Sequence, residues 1–240
     1  MPSRHAATAA GFAAIVLWAS FAALTSATGD IPPFQLLALG FGIAGVAGLA
    51  WVLRPGGPGP GALRQPPAAA ALAIAALSGY HALYYTALKR APVVEASLVN
   101  YLWPLLIVVF AAALGGARVR PAQWAGTMLG LAAAVLVVTR GGRPQLEPAH
   151  LAGYGAALGA AFVWALYSVL NRRFASVPST AIVVACAVTG MLGAVAILIG
   201  AVMLVLAAIS LLALPHPTWM IVAGLLLPLP VALLGWRVFR

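Results

Sequence analysis

Charged residues are scarce in this chain: they make up 7% of its 240 residues, and only three of them are acidic. A soluble domain carries roughly 25% charged residues, so the composition excludes an ordinary soluble protein. The basic residues give a formal net charge of +10, but they stand singly or in pairs between apolar segments. That pattern is typical of the loops of a membrane protein, and no nucleic-acid partner is expected.

Cysteine and catalytic motifs are scarce as well. Cys186 is the only cysteine, which excludes a framework of disulfides within the chain. The sequence shows no HExxH pattern, no recognisable Ser–His–Asp set and no glycine-rich loop followed by a lysine that would cradle phosphates. We therefore expect no enzymatic activity, no ATP hydrolysis, no metal and no cofactor.

Long apolar runs are abundant. The chain is 64% hydrophobic, its mean hydropathy is +1.05, and a helix of about 20 apolar residues crosses a bilayer. The sequence therefore predicts an all-α fold, a polytopic transmembrane helical bundle. The predicted spans up to residue 171 are Ala7–Thr28, Pro33–Leu53, Pro67–Leu88, Pro92–Leu114, Pro121–Thr139 and Leu151–Asn171. The first is long enough to cross the bilayer, and no cleavage site of a signal peptide follows it.

The C-terminal stretch is harder to divide into spans. Residues 181–214 are apolar, and as one helix they would measure about 51 Å, longer than a hydrocarbon core of about 30 Å. We predict a break near Gly200, which gives two spans or one span and a re-entrant piece. A last span is predicted from Met220 to Gly235, so the total is about nine spans, with eight as the alternative.

The distribution of basic residues predicts the orientation, because cytoplasmic loops carry an excess of lysine and arginine. With the N-terminus in the cytoplasm, seven basic residues lie inside and four outside. The inside set is Arg4, Arg54, Arg64, Arg118, Arg120, Arg172 and Arg173; the outside set is Lys89, Arg90, Arg140 and Arg143. All three acids, Asp30, Glu95 and Glu147, then fall on or near the outer side.

A short internal similarity predicts two repeats. Residues 16–22, around Trp18, resemble residues 162–168, around Trp164. The second copy lies five predicted spans after the first, and an odd offset inverts the second copy in the membrane. Inverted repeats are common in secondary transporters, which bind substrate near the midplane. We predict a first repeat of five spans from 7 to 139 and a second, incomplete repeat from 151 to 240.

The motif Asn100-Tyr101-Leu102-Trp103-Pro104 is the strongest candidate for a binding site. Pro104 has no N–H to donate to the carbonyl of Asn100, so the helix is predicted to kink and expose that acceptor. Trp103 would lie about 16 Å deep, close to the midplane. The alternative is a packing kink in which Asn100 bonds to a neighbouring helix.

Other polar and aromatic residues within the spans are further candidates. Helical spacing brings Tyr80, His81 and Tyr84 to shared faces of one helix, and a histidine within a span is a functional candidate. Tryptophan usually lies at the membrane interface, which makes Trp18 and Trp164 at mid-span unusual. The alternatives are a histidine bonded to a neighbouring hydroxyl and tryptophans that pack the interface between repeats.

Glu95 lies early in the fourth predicted span. Its carboxylate could stabilise the start of that helix, where negative charge is favoured, or pair with Lys89 or Arg90. A gating or proton-coupling role, with Pro104 as the gating kink, is the functional alternative.

The segment from Ala87 to Pro104, which ends in the motif above, resembles the third-to-fourth helix region of the EamA-type family in the drug/metabolite transporter superfamily. Its Asn-Tyr-Leu-Trp-Pro form is similar to that of family members that export aromatic and hydrophobic amino acids from bacteria. The resemblance implies ten helices in two inverted repeats and export by alternating access. It also implies a cavity lined by His81, Tyr84, Tyr101, Trp103 and Trp164, with Tyr80 nearby.

Three functional hypotheses follow. The first is a secondary transporter that exports aromatic and other hydrophobic amino acids across the bacterial inner membrane. The second is an exporter of drugs or small organic cations, which aromatic rings can bind. The third is a membrane scaffold or subunit that transports nothing, suggested by the incomplete second repeat. The expected partners are the small-molecule substrate and membrane lipid, and a monomer is favoured.

Overall fold

The computed structural model describes residues 4–115, 119–139, 142 and 147–213. These residues form α-helices joined by turns and short 3-10 segments, and none of them is in a β-strand. The helices are α1 (Arg4–Ala19), α2 (Phe21–Ala27), α3 (Pro33–Leu53), α4 (Pro67–Arg90), α5 (Val93–Asn100), α6 (Trp103–Gly115), α7 (Pro121–Val138), α8 (Leu151–Leu170) and α9 (Ile182–Ala213). The predicted all-α fold class is therefore confirmed.

Five helical segments of the described residues are long and apolar enough to cross a membrane. They are Pro33–Leu53, Pro67–Arg90, Val93–Leu114, Pro148–Phe174 and Ser179–Ser210. Four of them coincide with predicted spans to within a few residues at each end. The polytopic architecture follows from these helices, whereas the division into repeats at 7–139 and 151–240 stays a prediction.

The predicted break near Gly200 is wrong, because α9 is one continuous helix of 32 residues. No proline lies between Ile182 and Ala213, and a glycine lowers helix stability by only about 1 kcal/mol. A break in lipid would leave backbone groups without partners, which costs several kcal/mol for each group. The helix therefore continues. The predicted last span, Met220 to Gly235, lies outside the described residues.

The predicted first span, Ala7–Thr28, is interrupted at Ser20, which separates α1 from α2. The Ser20 hydroxyl donates to the carbonyl oxygen of Leu17 at 2.9 Å. In an uninterrupted helix the N–H of Phe21 would use that carbonyl. A serine that bonds locally in this way offers the backbone an alternative to the helical ladder.

The fourth predicted span is interrupted at Tyr101 and Leu102, which separate α5 from α6. The N–H of Leu102 donates to Val99 at 3.2 Å, a bond to the third preceding residue that tightens the last turn. The interruption lies just before Pro104, at the place where the sequence predicts a kink.

The chain divides into two compact units. The first takes its described residues from the ranges Met1–Asp30 and Leu83–Val169, so it contains α1, α2, the end of α4 and α5 to α8. In this unit Gly153 lies against Ala91: a Cβ built on the glycine would be 2.7 Å from the alanine Cβ. His150 Nδ1 donates to the carbonyl of Arg90 at 3.0 Å. These contacts join the start of α8 to the end of α4.

The second unit takes its described residues from the ranges Ile31–Ala82 and Leu170–Arg240, and the packing of α3 on α9 dominates it. Glycines allow the close approach: a Cβ built on Gly190 would lie 2.5 Å from the nitrogen of Gly42. The hydroxyls of Ser78 and Thr189 lie 3.0 Å apart. Thr189 is fully buried, so this bond satisfies a polar group inside an apolar unit.

Candidate functional site

Three tryptophans of the first unit form one aromatic cluster. The Trp18 ring centroid lies 6.2 Å from that of Trp103 and 6.3 Å from that of Trp164. Both distances are within the range of favourable ring contacts. Tyr167 extends the cluster, since its ring centroid is 5.6 Å from that of Trp164. Trp18 remains 53% exposed, so the cluster presents a ring surface that a ligand could cover.

The cluster lies beside both helix interruptions of this unit. Trp18 is two residues before Ser20, and Trp103 directly follows the turn at Tyr101 and Leu102. The contact between these two tryptophans therefore brings the interruptions close together. Pro104 has no N–H and cannot donate to the Asn100 carbonyl as the fourth following residue does in a continuous helix. Broken helices that expose backbone groups next to a substrate are a feature of transporter binding sites.

Tyr84 connects the end of α4 with α2 and α5. Its ring stacks on Phe21 with a centroid distance of 5.7 Å, and its hydroxyl lies 3.2 Å from Ser97 Oγ. The hydroxyl also interacts with the Asn100 side chain. Tyr84 and Asn100 are buried, while Tyr101 is 45% exposed. Tyr84 and Asn100 therefore hold α2, α4 and α5 together behind the candidate site, whereas the Tyr101 side chain is available to a ligand.

The second unit holds the other two candidates, Tyr80 and His81. The His81 ring lies 4.5 Å from the Phe41 ring and 4.9 Å from the Tyr80 ring, with edge-to-face geometry in both contacts. His81 Nδ1 lies 2.9 Å from the carbonyl of Leu77. A carbonyl can only accept, so Nδ1 carries the proton in this arrangement. The backbone bond and the two aromatic rings fix the orientation of the imidazole.

Glu95 occupies the first turn of α5, where the helix dipole favours a negative charge. One of its carboxylate oxygens, Oε2, is buried without a hydrogen-bond partner among the described residues. The ammonium of Lys89, one of the two alternative partners of Glu95, contacts the end of α2. The gating or coupling role of Glu95 and Pro104 stays a prediction.

Sequence reasoning missed three contributors to these groups: Phe21, Phe41 and Ser97. Phe21 follows Trp18 at the helical spacing of three residues, which was an available signal. Phe41 and Ser97 carry no local signal, because only the fold places them next to His81 and Tyr84. No group of three or more histidine, cysteine, aspartate or glutamate residues in the described part of the chain could hold a metal ion.

The fold and these residues define a multi-pass helical membrane protein with aromatic side chains at interrupted helices. Residues 6–139 match the EamA-like transporter family. The chain therefore belongs to the EamA-like transporter family.

Two similar proteins can be compared with the chain. An aromatic amino acid exporter, YddG, of Ancylobacter novellus is 48% identical over 193 residues, which are 80% of this chain and 67% of the relative. The chain also aligns with a crystal structure at 47% sequence identity and a TM-score of 0.65. The alignment covers 80% of this chain and 67% of the chain in that structure. The chain thus spans about two thirds of the length of each.

Proposed function

We propose that this protein is a secondary transporter that exports aromatic and other hydrophobic amino acids across the bacterial inner membrane by alternating access. The observation that carries the proposal is the cluster of Trp18, Trp103 and Trp164 beside the two interrupted helices. The name of the relative from Ancylobacter novellus supports the same substrate class. The N-terminus is proposed to lie in the cytoplasm.

The two ends of an amino acid need different partners in such a site. The exposed tryptophan rings and Tyr101 offer apolar area for an aromatic side chain, and ring pairs add about 0.5–1.5 kcal/mol beyond that area. The carbonyl of Asn100, at the interruption between α5 and α6, is a candidate acceptor for the substrate ammonium. His81 and Tyr80 are proposed as further determinants of binding in the second unit. Little ion coupling is expected, because Glu95 is the only acid within a predicted span.

The test is counterflow of labelled phenylalanine and tryptophan in proteoliposomes. Wild type should accumulate label against unlabelled substrate, and Trp103→Ala should lower the rate about tenfold or more, since each 1.4 kcal/mol of lost binding is tenfold. His81→Ala tests the second unit separately. Trp124→Ala is the matched control: Trp124 lies in α7 and is 37% exposed, outside both aromatic groups, so its loss should leave the rate unchanged.

Two outcomes would overturn the proposal. If the wild-type protein is folded and monodisperse yet moves neither amino acid, the hypothesis of a membrane scaffold that transports nothing is favoured. Counterflow of methyl viologen, an aromatic dication, without counterflow of phenylalanine or tryptophan would favour export of organic cations, which the same rings can bind.

A further inference from the structure

The short helix α2 is held at both of its ends by the last two turns of α4. At its start, Phe21 stacks on Tyr84 and Tyr85, with ring centroids 5.7 and 5.5 Å apart. At its end, the ammonium of Lys89 reaches the carbonyls of Thr25 and Gly29 and the hydroxyl of Thr28. Seven residues separated from α1 by an interruption are thus fixed to a different helix.

Lys89 is well suited to hold the end of a helix. Its Nζ lies 3.2 Å from the Thr25 oxygen, 2.8 Å from Thr28 Oγ1 and 2.6 Å from the Gly29 oxygen. An ammonium has three protons to donate, and each of these three oxygens is an acceptor. The C-terminal end of a helix carries partial negative charge, so a cation there is favourable.

Because α2 begins directly after the interruption at Ser20, its attachment to α4 determines which part of the chain α2 can move with. Helix breaks are the places where a transporter helix can bend, and Ser20 separates α2 from the part of the helix that carries Trp18. Tyr84 also bonds to Ser97 of α5, which ends at the second interruption. The helix after the first interruption, α2, and the helix before the second, α5, are therefore connected to the same turns of α4.

We propose that Lys89 is a positioning residue that clamps α2 to the end of α4, so that the two move as one body about Ser20 during transport. The proposal rests on the proposed transport function. Lys89 touches no substrate; it acts through α2, whose first residue, Phe21, covers Tyr84. Loss of the clamp should slow the conformational step and leave substrate binding almost unchanged.

The first test compares three variants of the full chain in counterflow and in equilibrium binding of labelled tryptophan. Lys89→Met should lower the counterflow rate about tenfold, which corresponds to about 1.36 kcal/mol in the barrier, because the variant loses the charge-assisted hydrogen bonds to the end of α2. Its dissociation constant should stay within about twofold of wild type. Lys89→Arg keeps the cation and should recover at least half of the rate. Arg90→Met, at the neighbouring position, is the control and should behave as wild type.

A second test remains informative if Lys89→Met is poorly folded. In a Cys186→Ser background, Thr28→Cys and Lys89→Cys are combined and treated with a short bifunctional thiol reagent whose spacer matches the lost lysine side chain. The untreated pair should be slow, and crosslinking should restore the rate. The reagent should have no such effect on Lys89→Cys alone.

The outcomes separate the two proposals. If wild type exchanges tryptophan but crosslinking abolishes exchange in the pair, α2 and α4 must separate during the cycle and the clamp is wrong. A Lys89→Met variant with wild-type rate would also overturn it. If wild type exchanges nothing, the transport function itself fails.

Discussion

Two equally buried tyrosines of the first unit differ in whether the side-chain hydroxyl has a hydrogen-bond partner. Tyr84 and Tyr154 are both 6% exposed. The Tyr84 hydroxyl lies 3.2 Å from Ser97 Oγ, whereas the Tyr154 hydroxyl has no hydrogen-bond partner among the described residues. A buried hydroxyl without a partner costs about 1–3 kcal/mol.

Replacing each tyrosine by phenylalanine should therefore have different effects on the free energy of unfolding. Tyr84→Phe leaves the Ser97 hydroxyl without its partner and should lower the free energy of unfolding by about 1–2 kcal/mol. Tyr154→Phe removes the unpartnered hydroxyl and should be neutral or stabilising. Thermal unfolding in detergent would measure both, with about 2–4 °C expected for each kcal/mol. Equal losses in the two variants would contradict the difference in partners.

At the scale of helices, glycines determine how closely α3 and α9 approach. A Cβ on Gly190 would meet the backbone of Gly42 at 2.5 and 2.7 Å, and a Cβ on Gly193 would lie 2.6 Å from the nitrogen of Ala38. Backbone atoms cannot rotate away as a side chain does, so a methyl group at either position must push the helices apart. Small residues at such contacts are the usual means of close packing in membranes.

Gly190→Ala should therefore lower the free energy of unfolding by about 1–3 kcal/mol, the usual cost of overpacking. Gly130→Ala is the matched control, because a Cβ at this position in α7 would meet nothing within 4 Å. Alanine favours helix over glycine by about 1 kcal/mol, so the control should be neutral or stabilising. Apparent unfolding temperatures would separate the two, and a stabilised Gly190→Ala would show that the helices can move apart without cost.

The helix boundaries show what sequence could and could not predict. The break before Pro104 was predictable, because proline lacks the N–H that the helix requires. The break at Ser20 was not, because a serine hydroxyl can bond the preceding turn with or without interrupting the helix. At Gly200 a break was predicted where the helix continues, since glycine alone does not end a helix in lipid. Proline acts through its covalent structure, while serine and glycine depend on their surroundings.

The candidate site residues also divide into features that the sequence predicts and contacts that only the fold reveals. Mid-span aromatic residues such as Trp18 and Trp103 were identifiable as candidates, because tryptophan at that depth is unusual. Their mutual contact could not be predicted, since it requires the relative rotation of α1 and α6. The same holds for Phe41 beside His81. For Lys89, the sequence suggested a pairing with Glu95, and only the fold shows the end of α2 beside its ammonium.

At the scale of the whole chain, basic residues should fix the orientation in the membrane. The second unit contains Arg54, Arg64, Arg172 and Arg173, all exposed, on the two connections that flank α3 and α9. Those connections are tied together: Thr180 Oγ1 donates to the Ala62 carbonyl at 2.8 Å, and Gln65 Nε2 donates to the Ala181 carbonyl at 3.2 Å. Neither connection contains an acid. Because positively charged loops stay in the cytoplasm, both connections should lie on that side.

Single cysteines in a Cys186→Ser background test this orientation with a thiol reagent that cannot cross the membrane. Cysteines at Gly61 and Ser176, both exposed on the arginine-bearing connections, should react only after intact cells are permeabilised. A cysteine in place of Glu147, which is exposed before α8, should react in intact cells. The reason is that α8 is expected to cross the bilayer between Glu147 and the connection that carries Arg172 and Arg173. The reverse pattern would place the N-terminus outside. Replacing Arg172 and Arg173 by glutamine should weaken the preference, because lysine and arginine carry the orientation signal and the acids contribute little to it.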